Sequence, residues 1–255
     1  NEDYILWNNY YDYQFTNADK VDLFIVSTDR QKEVLEQQFA HYTTHAPKIV
    51  TIPVGSVDEL TKPQEKRKPF SLITASRLAK EKHIDWLVKA VIEAHKELPE
   101  LTFDIYGSGG EDSLLREIIA NHQAEDYIQL KGHAELSQIY SRYEVYLTAS
   151  TSEGFGLTLM EAISSGLPLI GFDVPYGNQT FIEDGKNGYL IPSSSDHVED
   201  EIKKAYAEKI CQLYLENRLE GMREKSYQIA ESFLTQEILN TWEETIKEVV
   251  DDSVI

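Results

Sequence analysis

Cysteine, positive charge and long apolar runs are all scarce in this chain of 255 residues, and each scarcity closes off a class of function. A single cysteine, Cys211, cannot form an intrachain disulfide; this excludes a disulfide-stapled scaffold and fits a reducing cytoplasm. Its helical context marks it as a core side chain. Only 24 Lys and Arg stand against 44 Asp and Glu, a formal charge of −20. The summed field repels polyanions, so nucleic acid is excluded as the main partner and membrane association is at most peripheral. Any phosphate site must use locally placed cations. No apolar stretch has the length of a membrane span, and Asn1-Glu2-Asp3-Tyr4 lacks the basic start of a signal peptide, so a cytoplasmic protein is expected. No two aspartates are separated by a single residue, and the seven histidines are scattered, so no metal site is expected.

What is present is an ordinary globular composition, 41% apolar and 27% charged, long enough for one large or two modest domains. The aromatic opening from Trp7 to Phe15 reads as a well-packed surface rather than an interface. A strand over Asp22–Ser27, a helix over Asp29–Phe39 and a strand over Lys48–Ile52 follow, too little to close a core alone. We read residues 1–65 as the remnant of an N-terminal α/β domain and its linker, with the boundary in the charged, proline-bracketed stretch Thr61–Pro69. From 66 to 235 short apolar runs alternate with amphipathic helices. Strands are expected at Phe70–Ala75, Thr102–Tyr106, Tyr127–Leu130, Val145–Leu147, Pro168–Phe172 and Gly188–Ile191. Helices are expected around Ile84–Ile92, Leu114–Ile119 and, briefly, Leu136–Tyr143. That alternation predicts an α/β fold, a Rossmann-like parallel sheet with helices on both faces, whose ligands gather at the carboxyl ends of the strands. Beyond Asp196 two or three Glu- and Lys-rich helices are expected. The last, 236–255, carries an apolar stripe with Trp242 and Ile246 and is assigned a return path to the N-terminal part.

The stretch that organises the chain is Ser150-Thr151-Ser152-Glu153-Gly154-Phe155-Gly156-Leu157-Thr158-Leu159-Met160-Glu161. It follows a buried strand and opens a helix that should stop at Gly166. Glycines at 154 and 156 allow close approach of the backbone, and a helix N-terminus offers unpaired N–H groups and positive dipole, so the turn suits an anion. Glu153 lies before the helix and Glu161 about one turn inside it, two acceptors at different depths. Arg77 and Lys82 follow the strand at 70–75, where Arg can fork onto phosphate oxygens and Lys adds a point charge. The other strand ends supply Gly107-Ser108-Gly109-Gly110 and Gly132-His133-Ala134. All four converge on one crevice if the sheet is parallel. A nicotinamide fingerprint is not met, because Asp112 stands where the third glycine belongs and Leu130-Lys131 offers no acidic ribose ligand.

Ser76-Arg77-Leu78 with Lys82, the Gly-x-Gly turn at 107–109 and the Glu153/Glu161 pair, in register from about Val21 onward, resemble the retaining glycosyltransferases of family four. The resemblance implies a GT-B fold, of which this chain would carry the C-terminal, donor-binding domain and part of the N-terminal one. Gly171-Phe172-Asp173-Val174-Pro175-Tyr176-Gly177-Asn178-Gln179-Thr180 and Asp184-Gly185-Lys186-Asn187-Gly188 resemble in particular the bacterial protein O-GlcNAc transferases that modify serine-rich repeat adhesins beside the accessory secretion system. That implies UDP-N-acetylglucosamine as donor, Ser or Thr of a serine-rich protein as acceptor, and a homologous co-activating subunit as partner, with no cofactor.

By position, Arg77 and Lys82 would neutralise the departing diphosphate, Glu153 would hold the transferred sugar and Glu161 the ribose. The backbone through Gly154, Phe155, Gly156, Leu157 and Thr158 would bind sugar and phosphates. Gly107, His133 and Ala134 would complete the nucleotide site. The glycine-rich loop and histidine that the family's N-terminal domain contributes have no counterpart, so the chain alone is expected to bind UDP but turn over poorly. The alternatives are a teichoic acid glycosyltransferase, a non-catalytic nucleotide-sugar-binding subunit, and a glycoside hydrolase using the two glutamates.

Overall fold

A computed structural model describes residues 16–42, 47–193 and 199–252, so the aromatic opening segment lies outside the described residues. The described residues open with a 3₁₀ turn, Ala18–Lys20, followed by β1 (Leu23–Val26), α1 (Asp29–Tyr42) and β2 (Lys48–Thr51). β1 and β2 pair in parallel over a small core of Ala18, Phe39 and Ile49. The larger unit runs β3 (Ser71–Ala75), α2 (Ile84–His95), β4 (Thr102–Tyr106), α3 (Asp112–Asn121), β5 (Ile128–Gly132), β6 (Val145–Leu147) and α4 (Leu157–Ser164). It continues through β7 (Leu169–Phe172), α5 (Gly177–Phe181), β8 (Gly188–Ile191), α6 (Glu199–Leu215), α7 (Leu219–Glu231) and α8 (Thr235–Asp252).

Strands β3 to β8 form one parallel sheet in the order β5-β4-β3-β6-β7-β8. The central strands β3, β6 and β7 are buried along their whole length, as strands covered by helices on both faces must be. One face packs Leu72, Phe103, Ile105 and Leu147 against α2, α3 and α6. The other packs Ile73, Ala75, Tyr106 and Tyr146 against α4, Tyr140 and Phe233. Alternate residues of each strand thus serve opposite cores.

The strand order reverses between β3 and β6, which pair through Leu72–Val145 and Ile73–Tyr146. Crossovers from β3 lead one way and those from β6 the other, so the loops after these two strands splay apart and leave a crevice. Segments 76–83 and 148–156 border it.

Two expectations change. The helix expected around 136–143 shortens to a 3₁₀ turn, Tyr140–Arg142, led in by a turn from Leu136. The five-residue α5 was not expected, because its glycine and asparagine are weak helix formers; Asn178 is anchored instead by its Nδ2 donating to the Phe172 carbonyl, 2.8 Å away. All of α8 follows a bridge between Val57 and Leu234, and its Trp242, Ile246 and Val250 line an apolar groove with Leu23 and Ile25 of β1. Lys48 pairs with Glu248 across the same contact. Cys211 is buried on α6.

Candidate functional site

The crevice is built from the ends of four strands. After β3 the chain crosses close to the loop after β4: the Ser76 N–H donates to the Tyr106 carbonyl and the Leu78 N–H to that of Ser108, at 3.1 and 3.0 Å. Gly107 in turn donates to the Gly132 carbonyl at 2.9 Å, which ties in the loop after β5. Below this junction the Tyr143 hydroxyl donates to Asp104, 2.5 Å away, and lies 3.1 Å from the Tyr106 hydroxyl. Burial, then the Asp104 bond, drives the Tyr143 phenol upward, so it stays a donor.

Lys82 ends the short 3₁₀ turn Lys80–Lys82 and reaches across the crevice to Glu153, Nζ to Oε2 2.7 Å. The two side chains are only 16% and 22% exposed, so this is a largely desolvated pair rather than a surface contact. Arg77 stands at the rim, 76% exposed, and pairs with Glu81 at 3.0 Å. The two cations that the sequence places together therefore differ in kind: Lys82 is fixed at the acid, and Arg77 is a long arm in solvent. Of the remaining candidates, His133 is exposed, whereas Ala134 packs against the tyrosine-rich core.

The turn after Glu153 carries the densest set of donors. Gly156 has φ +92° and opens α4 as its N-cap, a conformation that favours glycine. The N–H groups of Gly154, Phe155, Gly156, Leu157 and Thr158 meet no acceptor among the described residues. Five consecutive main-chain donors at a helix start make a concavity for an anion. The Phe155 ring is buried edge-on against Phe181, centroids 5.2 Å apart, and so anchors the turn from beneath. The Leu157 side chain is half-exposed, and the Thr158 hydroxyl lies 3.0 Å from that of Tyr146. Tyr146 donates to the Ala75 carbonyl, and burial pushes its phenol up to about 12.

Glu161, on the second turn of α4, accepts a hydrogen bond from Tyr140 at 3.2 Å. Burial holds its carboxyl above the usual glutamate range, the Tyr140 bond opposes that shift, and Glu135 adds to it. Glu153 and Glu161 therefore have separate partners, a cation and a phenol. Nothing in the sequence around Tyr140 marks it as this donor; the one signal is that an inward carboxylate on a buried helix needs a donor. Among the described residues no three His, Cys, Asp or Glu side chains are gathered as a metal would require, and no helix is long and apolar enough to cross a membrane.

Known proteins resemble this chain along nearly its whole length. The chain is 86% identical over 252 residues to the UDP-N-acetylglucosamine–peptide N-acetylglucosaminyltransferase GtfA subunit of Streptococcus pneumoniae, covering 99% of this chain and 50% of that protein. It superposes with TM-score 0.91 at 87% identity on the crystal structure of the pneumococcal O-GlcNAc transferase GtfA in complex with UDP and GlcNAc, covering 98% of this chain and 49% of that one. A crystal structure of the GtfA/B complex gives TM-score 0.94 at 66% identity, covering 98% and 50%. The chain thus spans about half the length of the relatives it matches. The family model described as "Glycosyl transferases group 1" matches residues 57–228, the six-stranded sheet together with the crevice between β3 and β6, and the chain belongs to that family of GT-B glycosyltransferases.

Proposed function

We propose that this chain is the donor-binding part of a retaining glycosyltransferase that moves N-acetylglucosamine from UDP-N-acetylglucosamine to Ser or Thr hydroxyls of a serine-rich protein. The observation that carries the reading is the row of five unpaired N–H groups at 154–158, directly after Glu153, to which Lys82 reaches from the opposite wall of the crevice. Such a row offers a diphosphate preorganised dipoles that need not reorient as charge develops. Arg77 reaches in from the rim and, with Lys82, offsets the charge left on UDP; these cations do the work that a divalent metal does elsewhere, so no cofactor is required. Glu161, oriented by Tyr140, accepts the ribose hydroxyls. Glu153 holds the sugar hydroxyls, with Lys82, 2.7 Å from its Oε2, keeping it aimed. The base lies over Gly107, Gly132, His133 and Ala134.

The similarity to GtfA and to the GtfA/B complex supports the choice of donor sugar and a homologous glycosyltransferase subunit as partner. An acceptor rich in serine and a cytoplasmic site of action complete the proposal. In this geometry the acceptor hydroxyl attacks on the face from which UDP departs, so Glu153 need not act as nucleophile.

Calorimetric titration tests the reading. UDP should bind the chain, and Glu161→Ala should weaken it by about ten- to a hundredfold, the worth of hydrogen bonds to a charged group. Arg77→Ala should cost about tenfold, mostly lost at high salt. Sugar transfer by the chain alone should be weak. Unchanged UDP affinity in both variants, or tight binding of free sugar without nucleotide, would refute the proposal.

A further inference from the structure

We propose that Gln31 is a positioning residue for the donor turn, latching the first α/β segment onto the carbonyl of Gly154. The inference rests on the donor-site reading above for its consequence in binding, but its geometry stands independently. Gln31 opens α1 in a reciprocal capping box: its N–H donates to Thr28 Oγ1 at 3.1 Å, and its Oε1 accepts from the N–H groups of Ser27 and Thr28 at 2.9 and 3.1 Å. Main-chain N–H groups can only donate, so the oxygen of this amide is identified by its two partners. The nitrogen is then the atom turned the other way, and it lies 3.2 Å from the carbonyl oxygen of Gly154, 123 residues along the chain.

That carbonyl is where a latch matters. A Cβ at Gly154 would meet nothing within 4 Å, so nothing crowds that side of the residue, and glycine is the residue with most freedom to lose. The Gly154–Phe155 peptide unit is planar and trans, with its C=O and N–H pointing in opposite directions. Holding the oxygen toward Gln31 therefore aims the Phe155 N–H away from α1, as one of the five unpaired donors. The buried Phe155 ring pins the other side of the same unit. Gln31 thereby couples the capping of α1 to the orientation of the donor row.

Gln31→Glu separates the two roles. A carboxylate still accepts from Ser27 and Thr28, which preserves the cap, but it has no proton for Gly154. The expected result is an unchanged unfolding midpoint, lower amide order parameters at residues 154–156 of the unliganded chain with those of α1 unaffected, and about two- to tenfold weaker UDP binding. Gln31→Ala, which adds no charge, should lower the order parameters in both the turn and the first turn of α1. Order parameters at 154–156 equal to wild type in both variants overturn the latch. Lowered order parameters in a protein whose wild type binds no UDP uphold the latch and overturn the donor-site reading instead.

Discussion

Arg67 provides the sharpest test of what holds the site's scaffold together. It belongs to the polar stretch between the two sheets, yet it is 7% exposed. Its Nη1 donates to the carbonyls of Ser141 and Tyr143 at 3.0 and 2.8 Å, and its Nη2 to the carbonyl of Ser165 at 2.5 Å, with the Tyr227 hydroxyl 3.3 Å away. One planar fork thus joins the linker, the turn bearing Tyr140, the end of α4 and α7. Burial, the largest influence, pulls its pKa below the ordinary arginine value without an acidic partner in contact. Arg67→Met keeps most of the stem and leaves three carbonyls without this donor.

Three charge-assisted bonds at about 1.5–3 kcal/mol each amount to about 5–9 kcal/mol, against which several kcal/mol return because a cation is no longer buried. The net loss should be about 2–4 kcal/mol, a large share of the roughly 5–15 kcal/mol typical of a folded protein. Urea unfolding, with its slope unchanged, would measure it. Arg67→Lys should recover only part, since an ammonium cannot fork to carbonyls on opposite sides. An Arg67→Met midpoint that matches wild type would show that the carbonyls find water or other donors and that the fork is dispensable.

Two further perturbations follow from the site. Gly107 has φ +134°, and a Cβ there would stand 1.8 Å from the Ser76 carbonyl oxygen. Gly107→Ala should cost upwards of about 2 kcal/mol through strain and displaced backbone, and it should weaken UDP binding because Ser76 leads into Arg77; thermal unfolding at wild-type values would contradict this. Because burial raises the Glu161 carboxyl, the folded chain holds that proton to higher pH than the unfolded chain, and this group's contribution falls as pH rises through the raised value. Glu161→Gln should therefore be more stable than wild type at pH 8, with the advantage shrinking as pH falls toward the ordinary glutamate range, and wild-type UDP affinity should decline over the same interval. A stability difference independent of pH would remove the basis for both.

Much of this was legible in the sequence because parallel strands covered on both faces read as unbroken apolar runs. Thr102–Tyr106, Val145–Leu147 and Gly188–Ile191 have the bounds expected of them, and three helices follow 196. The α/β alternation fixed the strand ends, and with them the neighbouring loops that carry Lys82 and Glu153, although not that the two side chains would pair. Interactions set by distant partners were not legible. Arg67 reads as one more solvated charge in Lys66-Arg67-Lys68 until three carbonyls close around it. The Thr28-x-x-Gln31 spacing does mark a helix start, but nothing local announces that the same amide reaches Gly154. Tyr140 stands in the short helical stretch expected at 136–143, but nothing local marks it as the donor to Glu161, and Arg77, read as half of a cation pair, turns toward Glu81 instead.

The donor row at 154–158 belongs to the main chain, and this decides how it can be probed or lost. Side-chain truncation at Leu157 or Thr158 removes a branch or a hydroxyl and leaves every amide proton in place, and only at Phe155, whose buried ring anchors the turn, would a conventional scan disturb the row, and then indirectly. Proline, or an ester in place of a single amide, is the substitution that deletes one donor at a time. Side chains at 157 and 158 can consequently vary without removing a donor, provided the two glycines keep the bend and Phe155 keeps its seat.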